Sequence, residues 1–210
     1  RSMARYPDYD KTAVRFNGTS ALATAPERVK KWKNPEGGYF HAMHSHDWGD
    51  FHYRITGKNE KGELQLEGGW QNNRPMGIHP ENRMVENIFE ELDAPGEWYY
   101  DKQEGWLYYY PLSDENINEL VFETPQLKNL IEIAGTSSHP VKNITIEGIE
   151  LTQTIRTFME HYEPLLRSDW TIYRGGAVIF RGTEKCTLRD CYIHHVGGNG
   201  VFFDKYNRNS

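Results

Sequence analysis

The chain has 210 residues, enough for one large domain or two small ones, and its net charge of −6 excludes the basic surface that nucleic-acid binding requires. No run approaches the roughly 18 apolar residues of a membrane-spanning helix, so the sequence predicts no membrane span. Aromatic residues make up 13% of the chain, which argues against disorder and fits a protein that handles neutral or weakly charged polar ligands such as sugars.

Both ends of the chain indicate that it belongs to a longer one. The start, Arg1–Asp10, has no apolar segment of the kind found in signal peptides. Its sequence is typical of an internal segment of a longer chain. At the other end, the β-type run Asn199–Asp204 is followed by only six residues. We therefore expect the rest of the same longer chain to be a partner of this segment.

Residues 1–128 predict a β-rich subdomain. Three short runs have the composition of strands: Gly38–His44, Phe51–Ile55 and Leu64–Leu66. Glu97–Pro111 holds two aromatic runs around a polar turn with Gly105, which is typical of a β-hairpin. Asn82–Leu92 predicts a short helix.

Residues 129–210 contain an internal repeat. Val141–Leu151 aligns with Thr183–Ile193 at an offset of 42 residues, and apolar residues coincide along the alignment. A second alignment places Gly176–Phe180 over Gly200–Phe203 at an offset of 24 residues. Each copy holds short β-type runs broken by Gly, Asn or Asp.

Stacking explains such a repeat, because a strand-turn-strand unit of this length cannot bury its inner face alone. Ile133 also coincides with Phe180, and Gly135 with Gly182. The predicted fold class is all-β, with rungs of a right-handed parallel β-helix over residues 129–210. The β-rich subdomain is inserted into the rungs or precedes them. The alternative is an ordinary antiparallel sandwich.

The longer offset implies an insertion between rungs at Thr154–Arg174. Long excursions from a stacked fold emerge on one face and often line a binding surface. This insertion is rich in charged and aromatic residues: Arg156, Glu160, His161, Glu163, Arg167, Asp169, Trp170 and Arg174. It is the best functional candidate in the chain.

Histidines cluster in the segment His41–His52. Some of its side chains could seed a zinc or copper site: His44, His46, His52, Asp47 and Asp50. The spacing matches no strong metal pattern, so we assign no metal. The segment is also compatible with a structural or surface strand and with an edge that contacts sugar.

The sequence also makes predictions for a pair of cysteines and a pair of histidines. Cys186 and Cys191 align with Ile144 and Ile149, which are inward positions of the repeat, so buried and inert thiols are expected. His194 and His195 follow a strand, and one of them is expected to cap a turn. His195 is in addition a candidate sugar ligand.

Carboxylates decide the chemistry of a sugar-cleaving site. Hydrolysis of a glycosidic bond uses one carboxylic acid to protonate the leaving oxygen and one carboxylate to attack or to activate water. We predict Asp169 and Asp204 as this pair, with Trp170 stacking on a sugar ring. Hydrogen bonds to sugar hydroxyls are expected from Arg174, Glu160, His46 and His195. For each acid the alternative is a solvated surface charge.

Several segments resemble bacterial right-handed β-helix carbohydrate-active enzymes: Ala4–Asp10, Leu92–Asp101, Gly105–Pro111 and Asn143–Ile149. The resemblance covers most of the chain and is closest to glycoside hydrolases such as family 141, whose activities include α-L-fucosidase and xylanase. Family 120 xylosidases are more distant. The resemblance implies catalytic acids on the rungs of a solenoid, and part of the pair could lie beyond Ser210.

The sequence therefore predicts a glycoside hydrolase that acts on a plant or algal polysaccharide, without an organic cofactor, exported by a bacterium as a secreted or periplasmic protein. One alternative is a polysaccharide lyase on a uronate-containing glycan, for which Arg156, Arg167, Arg174 and His161 could supply basic groups. Another is a non-catalytic carbohydrate-binding or structural β-helix.

Overall fold

The structure is a computed structural model that describes residues 2–74, 76–166 and 169–210. The regular secondary structure of the described chain is almost all β, as predicted, with short strands and few helical residues. It forms two compact units: unit 1 holds residues 2–121 with the described part of 164–171, and unit 2 holds residues 122–163 and 172–210. None of the helices in the described ranges is long and apolar enough to cross a membrane.

Unit 1 contains two sheets. Its strands are β1 (Ser2–Met3), β2 (Arg5–Tyr6), β3 (Tyr39–His44), β4 (Asp50–Lys58), β5 (Leu64–Gly68), β6 (Ile78–Glu86), β7 (Glu97–Asp101) and β8 (Trp106–Tyr109). The order β2-β6-β3-β4-β5 forms an antiparallel five-stranded sheet, and β1-β7-β8 forms a three-stranded sheet. Strands β3, β4 and β5 confirm the three predicted runs.

Strands β7 and β8 form the predicted hairpin. Trp98 lies opposite Tyr109, and Asp101 lies opposite Trp106. The turn closes where the Gly105 amide donates to the Asp101 carbonyl over 2.8 Å. Gly105 has φ +72°, a left-handed conformation that glycine adopts without a steric cost.

The predicted helix at Asn82–Leu92 is wrong. Strand β6 runs through Glu86, and both of its edges pair with neighbouring strands, β2 and β3. The backbone donors that a helix would use internally are therefore committed to the sheet. Met84 and Val85 are buried within this strand, and only the single 3₁₀ turn Phe89–Glu91 is helical.

Other helical segments are short. Helix α1 spans Pro26–Val29, and two further 3₁₀ turns span Ala21–Thr24 and Ile117–Glu119. Helix α1 contributes to the core of unit 1, which consists of Ala23, Val29, Trp32, Phe40, Ala42, Ile55, Val85 and Ile88. The indole of Trp32 is fully buried, and its Nε1–H donates to Glu91 Oε1 over 2.7 Å.

The remaining strands follow in chain order: β9 (Ile131–Ala134), β10 (Val141–Lys142), β11 (Thr145–Glu147), β12 (Glu150–Thr152), β13 (Glu163–Pro164), β14 (Thr171–Ile172), β15 (Val178–Arg181), β16 (Thr183–Glu184), β17 (Thr187–Arg189), β18 (Tyr192–His194) and β19 (Val201–Phe203). Nine of them, β9–β12 and β15–β19, belong to unit 2 and pair in parallel: β10 with β16, β11 with β17, β12 with β18, and β15 with both β9 and β19.

The predicted offset of 42 residues is confirmed, because β10, β11 and β12 pair with β16, β17 and β18 in this register. Ile146 lies opposite Leu188, and Leu151 lies opposite Ile193. The predicted match of Ile133 with Phe180 is also confirmed. These apolar residues pack into the core of unit 2, so the repeat in the sequence reflects stacked inward positions.

The second alignment is wrong by one residue. Val178 lies opposite Val201 and Phe180 opposite Phe203, an offset of 23 rather than 24. A shift of one residue turns every side chain to the other face of a strand, so packing decides the register. Phe180 is fully buried and stacks on Phe203 with ring centroids 4.8 Å apart, a contact that the predicted alignment would have lost.

The coinciding glycines mark a close approach of two backbone segments. A Cβ atom on Gly135 would lie 2.5 Å from the carbonyl oxygen of Gly182 and 2.7 Å from the amide nitrogen of Val141. Gly182 also has φ +56°. No other residue type fits here without displacing the backbone, which explains why both copies carry glycine.

The prediction of two buried cysteines is confirmed for Cys186 and wrong for Cys191, which is partly exposed. Its alignment partner Ile149 is 40% exposed and follows Gly148 in the turn between β11 and β12. The C-terminal segment lies against Cys186, whose amide donates to Ser210 Oγ over 3.2 Å and whose neighbour Glu184 is bridged to Arg208, and this contact shields the Cys186 thiol.

Glu97 is a buried carboxyl group in unit 1. Its Oε2 accepts hydrogen bonds from the amides of Asp93 and Ala94, each over 3.3 Å. Burial outweighs these hydrogen bonds and raises the pKa of Glu97 to about 7. The folded state therefore binds this proton more tightly than the unfolded chain does.

We expect Glu97→Gln to flatten the pH dependence of stability. In the wild type, protonated Glu97 stabilises the fold below its ordinary pKa, and this stabilisation is lost as pH rises through about 7. Its loss lowers the free energy of unfolding by on the order of 3 kcal/mol. Urea unfolding at a series of pH values from about 4.5 to 8 measures it. Glu104→Gln, in the exposed hairpin turn, is the control. Parallel profiles for wild type and Glu97→Gln would contradict the assignment.

Candidate functional site

The turn between β3 and β4 positions a cluster of aromatic side chains. The amide of His44 donates to the carbonyl of Gly49 over 2.7 Å, and the amide of Asp47 donates to the carbonyl of His44 over 2.8 Å. The His46 amide donates to His44 Nδ1 over 2.9 Å. Because Nδ1 accepts, the neutral ring of His44 carries its proton on Nε2. That buried Nε2 has no hydrogen-bond partner in the described part of the chain.

Four rings form what we call the aromatic platform: His44, His46, Trp48 and Trp170. Trp48 stacks on the buried His44 with ring centroids 5.6 Å apart and an interplanar angle of 7°. The indole of Trp48 is 70% exposed, so its outer surface is open to a ligand. Flat, exposed aromatic faces of this kind suit the apolar faces of sugar rings.

Trp170 reaches the platform because the opposing residue is glycine. A Cβ atom on Gly49 would lie 2.4 Å from the indole ring. Trp170 meets His44 edge to face, with centroids 6.1 Å apart. Several hydrogen bonds hold its segment to the rest of unit 1: for example, the Asn73 amide donates to the Asp169 carbonyl over 2.8 Å, and the Thr171 hydroxyl donates to the Trp70 carbonyl over 2.6 Å.

Two acids accompany the platform. Asp169, next to Trp170, forms an ion pair with Arg74, whose Nε lies 2.5 Å from Oδ1. Asp47, in the platform turn, accepts a hydrogen bond from Asn82 Nδ2 over 2.8 Å. Asp47 also has φ +57°, which an aspartate tolerates better than most residues. Unit 1 therefore carries both the aromatic platform and the carboxylates of Asp47 and Asp169.

Asp204 lies in unit 2, directly after β19. Its side chain is nearly buried between two guanidinium groups: Arg181 Nε donates to Oδ2 over 2.8 Å, and Arg174 Nη1 donates to Oδ1 over 3.3 Å. Arg174 also pairs with Glu163, and this contact lowers the pKa of Glu163. The guanidinium groups of Arg174 and Arg181 thus both donate charge-assisted hydrogen bonds to Asp204, and such bonds are stronger than those between neutral groups.

The other predicted sugar ligands of unit 2 lie apart from this network. Glu160 pairs with Lys128, 2.5 Å away, and this hydrogen bond raises the pKa of Lys128. His195 is exposed, has φ +48°, and its Nδ1 lies 2.5 Å from Nδ1 of His194. The left-handed backbone places His195 in a bend directly after β18. His194 in turn contacts Glu150.

The structure thus groups the predicted residues in two sets. His46, Asp169 and Trp170 belong to unit 1, where His46 and Trp170 both contact His44. The residues in unit 2 are Glu160, Arg174, His195 and Asp204, of which Arg174 and Asp204 are in contact. Arg167, a basic residue of the lyase alternative, lies outside the described residues.

Metal binding at the histidine cluster has no geometric support in the described ranges, where no three His, Cys, Asp or Glu side chains are grouped to hold an ion. His52 is engaged with other residues: its Nδ1 lies 2.6 Å from Nδ1 of His41, and its Nε2 lies 3.3 Å from the Asp50 carboxylate. The hydrogen bond from His52 lowers the pKa of Asp50.

Sequence reasoning missed Trp48, His44 as a ring support, Arg74 and Arg181. Trp48 stands in a turn of polar and small residues, Ser45–Gly49, where an indole has no core to enter. That context was the available signal for an exposed ligand-binding ring. Nothing in the sequence signalled Arg74, because its partner Asp169 is distant along the chain.

Comparison with known proteins supports the fold. No protein-family model matches the chain, and no curated protein matches it either. A solved structure named "Glycoside hydrolase" superposes with a TM-score of 0.62 at 20% sequence identity. The match covers 81% of this chain and 35% of that one, so the chain spans about a third of the neighbour's length. The chain therefore has a glycoside hydrolase-like fold.

Proposed function

We propose that this chain is part of a glycoside hydrolase that cleaves a plant or algal polysaccharide. The observation that carries the proposal is the aromatic platform with Asp169 beside it, in a chain whose fold is similar to a glycoside hydrolase. The partner is a poly- or oligosaccharide, no organic cofactor takes part, and the parent protein is secreted or periplasmic in a bacterium.

Unit 2 in this proposal is a set of turns of a right-handed parallel β-helix, similar to family 141 enzymes. Its support is the parallel pairing of strands β9–β12 with β15–β19, with inward residues in register. Parallel strands that stack at repeat intervals bury a continuous core, as in solenoids.

The chemistry would use the predicted pair, Asp169 and Asp204. Arg174 and Arg181 both donate to Asp204, which makes it the better candidate for the ionised member that attacks or activates water. Asp169 would then protonate the leaving oxygen, a role that requires its ion pair with Arg74 to open when the substrate binds. A carboxyl separation of roughly 5–5.5 Å would suit retention, and roughly 6.5–9.5 Å would leave room for water and inversion.

Ligand binding at the platform is the first test. We expect Trp48→Ala to weaken binding of the substrate oligosaccharide about tenfold in calorimetric titration, because one stacking face is lost. The melting temperature should not change, since the indole is mostly exposed. Trp106→Ala, which removes another exposed indole of unit 1, is the control. If wild type and Trp48→Ala bound the oligosaccharide with equal affinity, the aromatic platform would not be part of the binding site.

Product analysis of the full-length protein separates the proposal from its alternatives. A hydrolase releases reducing ends without creating a double bond. A lyase would leave an unsaturated product that absorbs ultraviolet light. Binding of polysaccharides without turnover of any of them would show a non-catalytic module. Either of the last two results would overturn the proposed function.

A further inference from the structure

Unit 1 contains a groove that shares no residue with the aromatic platform. It lies between the 3₁₀ turn Phe89–Glu91 and the hairpin of β7 and β8, and its volume is about 360 Å³. That volume is at the lower end of the range for small-molecule sites. Aromatic rings of Phe89, Tyr99 and Tyr108 line it.

These rings are packed against one another but remain accessible. Phe89 meets Tyr99 and Tyr108 edge to face, with centroids 5.4 and 5.1 Å apart. Phe89 is nevertheless 46% exposed and Tyr108 is 39% exposed. The contacts fix the orientation of the rings in advance, so a ligand that stacks here need not order them.

Two of the residues that line the groove each have one buried acceptor atom without a donor among the residues that the structure describes: Asn87 Oδ1 and Glu90 Oε2. The other polar atom of each side chain is engaged. Asn87 Nδ2 donates to the Gly37 carbonyl over 3.1 Å, and Glu90 Oε1 accepts from the Lys33 amide over 2.8 Å. Because both atoms are buried, a sugar hydroxyl would reach them only when the side chain turns toward the groove. An unsatisfied buried acceptor costs free energy, and a hydrogen bond from such a hydroxyl would relieve that cost.

The charges around the groove favour a neutral ligand. Both signs line it, in Lys33, Lys102, Glu36, Glu90 and Asp101. An anionic or cationic ligand would therefore meet repulsion as well as attraction. Burial and the nearby carboxylates of Asp101 and Glu90 raise the pKa of Tyr99, so its hydroxyl keeps its proton and can donate.

We propose that this groove binds one or two rings of a neutral oligosaccharide, separately from the aromatic platform. The aromatic rings offer stacking faces, and Asn87 and Glu90 accept hydrogen bonds from sugar hydroxyls. The choice of ligand class rests on the proposed function. In a polysaccharide-cleaving protein, such a groove would bind a part of the polysaccharide that is remote from the bond that is cleaved.

The test uses the Trp48→Ala protein, in which platform binding is weakened. Ring resonances of Tyr99 and Tyr108 are followed by NMR during titration with xylohexaose, cellohexaose, laminarihexaose and mannohexaose. At least one probe is expected to shift both rings, and hexagalacturonate is expected to bind more weakly than that probe. Tyr108→Ala should weaken binding about tenfold and Glu90→Gln about threefold.

The control is Tyr110→Ala, which removes a similarly exposed tyrosine of the same hairpin that does not line the groove. Its affinity should equal that of the parent protein. The inference is overturned if no probe shifts the two rings, or if Tyr108→Ala and Glu90→Gln both bind like the parent. Shifts of the rings in a protein that turns over no glycan would support the groove while the proposed hydrolase activity fails.

Discussion

Trp32→Ala is expected to lower the free energy of unfolding of unit 1 by about 3–5 kcal/mol, the cost of truncating a fully buried aromatic residue. The change leaves a cavity among Phe40, Ile55 and Val85. It also removes the indole donor of Glu91, whose side chain is buried. Urea unfolding followed by circular dichroism measures the effect.

Trp32→Phe separates the two contributions. It retains most of the ring volume but removes the Nε1–H donor, so a loss of about 1–3 kcal/mol is expected. Arg28, which also donates to Glu91, keeps that carboxylate partly satisfied. Trp106→Ala, at a mostly exposed indole, should change stability by less than about 0.5 kcal/mol. If Trp32→Ala were as mild as Trp106→Ala, the assignment of this core would be wrong.

Asp204→Asn is expected to lower the turnover of the full-length protein by about 10²–10⁴, if Asp204 is the ionised member of the catalytic pair. Asparagine preserves the shape of the side chain but can neither attack as a carboxylate nor accept a proton from water. Initial rates of reducing-end release from the polysaccharide substrate measure the effect, and the Michaelis constant should change much less than the turnover number.

Asp190→Asn provides a matched control in unit 2. Asp190 is exposed and has φ +52°, a conformation that asparagine also adopts, so neither turnover nor stability should change. A decrease of less than tenfold for Asp204→Asn, together with a lower melting temperature, would mean that Asp204 serves only to hold Arg174 and Arg181. The catalytic acids would then have to be sought elsewhere in the parent protein.

Much of the fold could be predicted because its signals are local or repetitive. The hairpin of β7 and β8 is marked by aromatic runs around Gly105, and the repeat at Val141 and Thr183 places inward residues in register. Strand β6 was missed because its edges are satisfied by partners that the local sequence does not reveal. The shorter alignment was off by one residue because matching glycines suggested one register and the packing of Phe180 requires another.

The candidate site was less accessible to sequence reasoning. Trp170 and Asp169 stood out by residue type, whereas the role of Trp48 depends on the exposure of a turn and on the buried His44 behind it. Ion pairs such as Arg74 with Asp169 join residues almost a hundred positions apart. Pairing over such distances follows from the tertiary fold, which residue types alone do not specify.

The parallel pairing of unit 2 has a consequence for the order in which the chain acquires structure. Val141 pairs with Thr183, 42 positions later, and Val178 pairs with residues 47 positions before it and 23 after it. In unit 1, by contrast, a five-residue turn suffices to bring β3 onto β4. Closing long loops costs chain entropy before any contact compensates, and folds rich in distant pairings form slowly. The β3-β4 and β7-β8 hairpins of unit 1 are therefore expected to form early during folding, while the strands of unit 2 remain open to pairing with other chains for longer.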